Sequence, residues 1–256
     1  VAQFAKKEVS VVLTGDGGDE LFGGYGRYHN KKIALAWRLW LNLRNKSAAQ
    51  FLIKSFGEGK LMRMLAAKDF REFYSIYTSH WMRAPMKWDS DEFVRSDVEC
   101  GGTLLENMMH QDTNQYLPDC ILTKVDRSTM SHGLESRLPF LDSRVLATSS
   151  RLNQNMFTSS KQGKLVLRKI LENYLPVNLI NRPKQGFAIP LGQWLVNDLR
   201  QIADQYLCER SINRSGVLDC DAIMDAWNRL KKGEQKYQYN IWLVLVFQIW
   251  FQEHSE

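Results

Sequence analysis

Several protein classes are excluded by what this chain has little of. Only four of its 256 residues are cysteine, and Cys100, Cys120, Cys208 and Cys220 lie far apart with no C-x-x-C or Cys/His spacing. That excludes a disulfide framework and a zinc site, and reads as reduced thiols in a cytoplasmic protein. No apolar run reaches the ~20 residues of a membrane span. The longest, "IWLVLVFQIWF" from Ile241 to Phe251, reads as a buried terminal helix. The formal charge is +6, but lysine and arginine are scattered rather than clustered, which argues against a nucleic-acid surface and leaves room for an anionic partner such as a nucleotide. Repeats, low-complexity tracts and an obvious linker are missing too.

What is present begins with a helix-like stretch, "VAQFAKKE", and then "VSVVL", whose unbroken apolar character is that of a parallel strand buried on both faces. Nothing downstream looks as convincingly like a strand. The sheet neighbours are therefore expected upstream, and the chain reads as an internal piece of a longer protein. The rest is mainly helical. "KKIALAWRLWLNLRN" and "GKLMRMLAAKDFREFYSIYTSHWM" carry apolar residues at helical spacing, and "TLLENMMHQDTNQYL" is expected to stop at Pro118. "GKLVLRKILENYLP" is an amphipathic helix ended by Pro176, and "NRPKQGFAIPLGQWL" reads as a loop. In "LDCDAIMDAWNRLKKG", Asp219 is the expected N-cap and Gly233 the stop.

The stretch "VVLTGDGGDELFGGYGRY" runs from the strand into a loop rich in glycine and carboxylates. No lysine follows as in a Walker A loop, Glu20 stands where a dinucleotide fingerprint needs its third glycine, and the aspartate spacing fails an EF-hand. Two readings remain. A glycine turn opening a helix exposes N–H groups that cradle phosphate, with Asp19 placed to hold Mg²⁺. Equally, the loop is a plain turn whose acidic residues favour the start of a helix. Lys184, next to Pro183 and near Arg182 and Gly186, could stabilise charge on a transferring phosphate, although a lone loop lysine is more commonly just solvated. The charge-dense "DRSTMSHGLESRLPFLD" fits either a polar site or ion pairs that hold helices together, and His132 within it has no partner at metal-ligand spacing.

Taken in order, "VVLTGDGGDELFGGYGRY", "YLPDCILTKVDRSTMSHGLESRLPFLDSRV" and "KLVLRKILENYLPVNLINRPKQGFAIPLGQWL" resemble the C-terminal synthetase domain of glutamine-dependent asparagine synthetase. The resemblance reaches the closing Trp-rich segment and lacks motif-level support only between Asn42 and Met109. It implies an α/β ATP pyrophosphatase fold of the adenine nucleotide alpha hydrolase type, of which residues 1–256 would be the C-terminal part, predominantly α-helical with one or few strands. It also implies ATP and Mg²⁺, formation of β-aspartyl-AMP with loss of pyrophosphate, and amidation by ammonia from an N-terminal glutaminase domain. Thr14, Gly15, Asp16 and Gly17 would line the ATP and acyl-adenylate site, with Asp16 near the acceptor, and Asp19 would bind the metal. Lys184 matches the catalytic lysine. Asp126, Arg127, Glu135 and Arg137 would wall the acceptor site, whereas Asp142 reads as a cap or ion-pair partner.

Two departures from the pattern stand out. The loop reads "TGDGGDE" where the family has Ser-Gly-Glu-Gly-Ala/Ser-Asp-Glu, so Asp16 is one methylene shorter than the usual glutamate and the acceptor could differ: a sugar acid, a peptide or a β-lactam precursor. The Ser-Gly-Gly-x-Asp-Ser pyrophosphate loop and the glutaminase domain do not occur in these residues, so the chain alone is expected not to turn over ATP. A helical binding module that has lost catalysis is the rival reading, and the presence of Asp19 and Lys184 argues against it. Apolar surface left by missing strands is expected to drive self-association or to take a partner.

Overall fold

The structure, a computed structural model, describes residues 1–43, 59–81, 85–87, 102–159, 162–181 and 189–255. The chain divides into two compact units, one made of Val1–Tyr77 with Val98–Pro183, the other of Thr78–Asp97 with Lys184–Glu256.

The first unit carries the sheet. Strand β1, Val11–Leu13, pairs in parallel with β2, Glu135–Arg137, setting Val11 opposite Glu135 and Leu13 opposite Arg137. This corrects two expectations. The described neighbour of β1 comes from downstream, and it was hidden because Glu-Ser-Arg has none of the β-branched or aromatic composition that marks a strand. Val11 and Leu13 are also exposed, Leu13 at 73%, where burial on both faces was expected. The crossover between the strands is long, as parallel pairing requires, and its described parts are mainly helical. Its helices Lys31–Asn42, Lys60–Ala66 and Phe70–Thr78 supply Ile33, Ala36, Trp40, Met64 and Phe73 to the core, at the helical spacing visible in the sequence.

Pro118 does not end its helix. The Leu104–Gln111 helix, opened by a capping box between Thr103 and Glu106, continues into a π-helical segment, Asp112–Leu122, with Pro118 inside it, and then into the helix Thr123–Met130. In an α-helix the proline ring collides with the carbonyl of the preceding turn. The wider π turn relieves that contact, and the Pro118 carbonyl accepts the Thr123 hydroxyl at 2.9 Å. The segment is anchored at its start, where one oxygen of the buried Asp112 carboxyl accepts hydrogen bonds from Arg27, Tyr28 and Tyr74.

The second unit is helical. Leu191–Val196, Arg200–Tyr206, Glu209–Arg214, Cys220–Lys231 and Gln238–His254 close around Leu195, Ile212, Ile223, Trp227 and Ile241. The loop expected through "LGQWL" is thus partly helix, because Leu191 and Leu195 are one turn apart and both buried. Asp219 caps its helix by accepting the Ala222 N–H, and Gly233 follows the helix at φ +97°. The terminal helix buries Ile241, Val244, Leu245 and Gln248, while Leu243, Val246 and Trp250 are exposed, so it is buried on one face only.

Candidate functional site

Parallel strands leave their C-terminal ends as the place where loops converge, and in open α/β sheets that is where ligands bind. Both strands of the first unit end this way. β1 runs into Thr14–Gly18 and β2 into Leu138–Leu141, and the two turns touch. A Cβ added to Gly17 would come within 2.5 Å of Leu141 Cδ2, and one on Gly18 within 3.1 Å of the Phe140 ring. Gly17 is also left-handed, at φ +87°. Glycine at position 17 is therefore required twice over, by conformation and by space.

Thr14 is the hinge between strand and turn. Its N–H donates to the Arg137 carbonyl at 2.9 Å, which ties the loop to β2. Its hydroxyl oxygen is buried and makes no hydrogen bond among the described residues. Gly15 accepts from the Gly18 N–H at 3.2 Å, closing the turn, and nothing lies within 4 Å of the position a Cβ would take there. Asp16 is half-buried on the same turn. The helix that follows, Gly18–Leu21, is a single turn, so the field at the loop comes from individual N–H groups rather than from a long helix dipole.

Asp19 meets a residue that sequence reasoning missed. The Lys164 ammonium lies 3.0 Å from Asp19 Oδ2, and both side chains are about 30% exposed, at 31% and 29%. Lys164 is the one non-glycine residue with a positive φ among those described, +57°, and its N–H donates to the Phe22 carbonyl at 3.1 Å. That strained geometry is held by close approach. Gly163 packs directly on the Gly23 carbonyl, and Gly24 leaves room for Asp19 and Lys164. The only sequence hint was the Gly-Lys pair opening an amphipathic helix.

Glu20, which points the other way, is buried and accepts a hydrogen bond from the Tyr25 hydroxyl. Burial, then the bond and charge of Glu20, push the Tyr25 phenol far above its ordinary range, so it stays a donor. The Arg27 guanidinium stacks 4.0 Å over Tyr25 and 5.0 Å over Tyr116 while it pairs with Asp112 at 2.8 Å. This network braces the segment behind the glycine turn.

The remaining candidates divide. Glu135 and Arg137 stand two apart on β2, beside Val11 and Leu13, and pair with each other at 2.7 Å, both exposed. Asp126 and Arg127 lie on the exposed helix Thr123–Met130, and no described hydrogen bond or ion pair joins either to the glycine turn. A tight turn through Gly133 connects that helix to β2, with the Leu134 N–H donating to the Thr129 carbonyl. His132 is exposed and bonded to the neighbouring Ser131 hydroxyl. Asp142 caps the Ser143–Ser149 helix and pairs with Arg144, which holds its carboxyl down to about 2. Lys184 and Arg182 lie outside the described residues. No group of three or more metal-ligating side chains occurs among the described residues, nor does any helix long and apolar enough to cross a membrane.

Comparison with known proteins gives these features a context. The family model described as asparagine synthase matches residues 1–252. Asparagine synthetase 1 (glutamine-hydrolysing) of Bacillus subtilis is 29% identical over 98% of the chain, and the match covers 41% of that relative. Asparagine synthetase B of Escherichia coli is 27% identical over 41% of the chain, covering 20% of its own length. A more distant relative, amidase chry2 of Gibberella zeae, is 20% identical over 85% of the chain and 38% of its own length. The chain spans about two fifths of the length of the curated relatives that it matches throughout. No solved structure matches it.

Proposed function

The chain belongs to the asparagine synthase family, and from that premise we propose that it forms part of the synthetase site of an ATP-dependent, AMP-forming amide ligase. In the proposed reaction a side-chain carboxylate oxygen of aspartate attacks the α-phosphorus of ATP and pyrophosphate leaves. Ammonia from a glutaminase domain then attacks the acyl carbon, and AMP departs. Most of that barrier is electrostatic and positional.

The observation that carries this reading is the Thr14 hydroxyl, buried and unbonded among the described residues at the C-terminal end of a parallel strand pair, on the same turn as the left-handed Gly17. A buried polar atom without a partner costs about 1–3 kcal/mol, and a phosphate or adenylate oxygen on the turn would satisfy it. Gly15 to Gly17 would admit the phosphates, and Lys184 would meet the charge on the leaving pyrophosphate. Arg137, opposite Leu13 at the end of the strand pair, would face the acceptor together with its ion-pair partner Glu135. Mg²⁺ fits the residues present. It takes one or two protein carboxylates plus phosphate oxygens and water, and Asp19 offers a partly exposed carboxyl with no cluster of three metal-ligating side chains among the described residues. When bound there, the ion would neutralise phosphate charge, and Lys164 would share Asp19 with it.

A second acceptor is favoured by one feature. Asp16 sets its carboxyl back by a methylene from the family's glutamate, which leaves room for a carboxylate larger than aspartate. The deciding assay supplies the complete protein with ATP, Mg²⁺, ammonia and aspartate and measures AMP and pyrophosphate. Aspartate-dependent AMP is expected, with loss of about 10²-fold or more in Asp19→Asn and Lys184→Ala, as for a lost electrostatic stabiliser. AMP formed only with another carboxylic acid would move the substrate, and ADP with phosphate would overturn the reading. The 256 residues alone are expected to release no pyrophosphate.

A further inference from the structure

A cleft of about 670 Å³ is walled by the Leu104–Gln111 helix, the end of the Ser143–Ser149 helix, and Glu20 and Leu21. None of Thr14 to Asp19 lines it, so it is not the phosphate-facing turn. One wall is apolar, from Met109, Leu146, Leu152 and Phe157. Although the chain carries a net charge of +6, no lysine or arginine is among the described residues of the lining.

Apart from the His110 ring, whose Nε2 lies 3.1 Å from the Asn114 amide nitrogen, the polar side chains of the wall present acceptors. Asn107 is 1% exposed, and its Nδ2 donates to the Gly102 carbonyl at 3.3 Å, which fixes the amide the right way round. That leaves its Oδ1 buried, with no hydrogen bond among the described residues. Beside it, Glu106 is held below the usual glutamate range by a hydrogen bond from Gln154 and then by the Thr103 N–H, so it is ionised near neutrality. The hydroxyls of Thr113, Ser149 and Ser150 spend their protons on the carbonyls of Met109, Leu146 and Ala147, which turns lone pairs towards any ligand. Glu20 accepts from Tyr25. A ligand here must bring the donors and, beside Glu106 and Glu20, gains from a positive charge. An anion or a pure acceptor would leave Asn107 Oδ1 unsatisfied.

We propose that this cleft is a second binding site that takes a small protonated alkylamine, its ammonium on Asn107, Glu106 and Glu20 and its chain against Leu146 and Phe157. The site does not depend on the ligase chemistry, and its test reads binding alone. The ¹⁵N-labelled 256-residue chain is titrated with n-butylammonium chloride, n-butanol, sodium butyrate and sodium chloride. The expected result is saturable movement of the Asn107 side-chain amide with butylammonium, at an affinity about tenfold or more above that of butanol, as a charge-assisted bond allows. Asn107→Asp should tighten it and Asn107→Leu abolish it. Should Asn107→Leu fail to fold, Glu106→Gln on the exposed rim must weaken binding several-fold. No saturable movement, equal response to butanol or sodium chloride, preference for butyrate, or unchanged affinity in the variant that folds would each overturn the proposal.

Discussion

The helices of the Lys184–Glu256 unit and the glycine turn of the first unit are held together by different means. The helical core rests on side chains. Leu195, Ile212, Ile223, Trp227 and Ile241 are almost wholly buried, and their spacing is that of helical faces. Around the glycine turn it is the backbone that is specific. Gly17 adopts a left-handed conformation against Leu141, Gly163 abuts a carbonyl, and Lys164 takes a positive φ to reach Asp19. The comparison teaches where tolerance lies. A helical core accepts changes that keep volume and apolarity, whereas a turn defined by missing side chains accepts almost none.

The largest effect expected is from Trp227→Ala. Removing a 1%-exposed aromatic should cost the helical unit about 3–5 kcal/mol. Hydrogen exchange should report it as lost protection in Cys220–Lys231 and Gln238–His254. An equal loss at the glycine turn would break the distinction between the two regions.

A smaller effect sharpens it. Gly17 and Gly233 share a left-handed backbone, at φ +87° and +97°, but only Gly17 has neighbours where a Cβ would stand. Gly233→Ala should cost about 1 kcal/mol, from conformation alone, and Gly17→Ala about 2 kcal/mol or more because Leu141 must also move. Urea unfolding of the two variants measures the difference, and equal costs would mean that the close approach at the turn is not what constrains it.

The smallest effect concerns pH. Glu106 has its carboxyl lowered by hydrogen bonds from Gln154 and Thr103. A lowered folded value means that its contribution to stability is complete above the unfolded value of 4.5 and is lost as pH falls through the lower folded value. Glu106 is exposed, so the effect is small. Thermal unfolding of Glu106→Gln should be flatter than wild type below that pH and shifted by a constant amount above it. A variant that parallels wild type throughout would remove Glu106 from the acid response.

Legibility in the sequence followed the same division. The helical segments, the Asp219 cap, the Gly233 stop and the placement of a glycine turn after a strand were readable, because each depends on spacing within a few residues. Helix ends were not: the helix expected to reach Pro176 stops at Leu171. The π-helical passage through Pro118 was not, since local propensity calls for a stop there, and the segment is anchored at Asp112 by Arg27, Tyr28 and Tyr74 from distant segments. β2 escaped notice because its Glu-Ser-Arg composition says nothing of a strand, and only pairing with β1 makes it one.

What the sequence by itself determined is therefore the family, the helical character and the chemical types available at the turn. The tertiary structure alone decided that Arg137 ties down Thr14, that Lys164 meets Asp19, and that Asn107 lines a cleft with its Oδ1 unbonded among the described residues. The physical reason is range. Helical periodicity and capping act over one or two turns of chain, whereas these three arrangements join residues far apart in sequence, whose contact energies exist only once the intervening helices have packed.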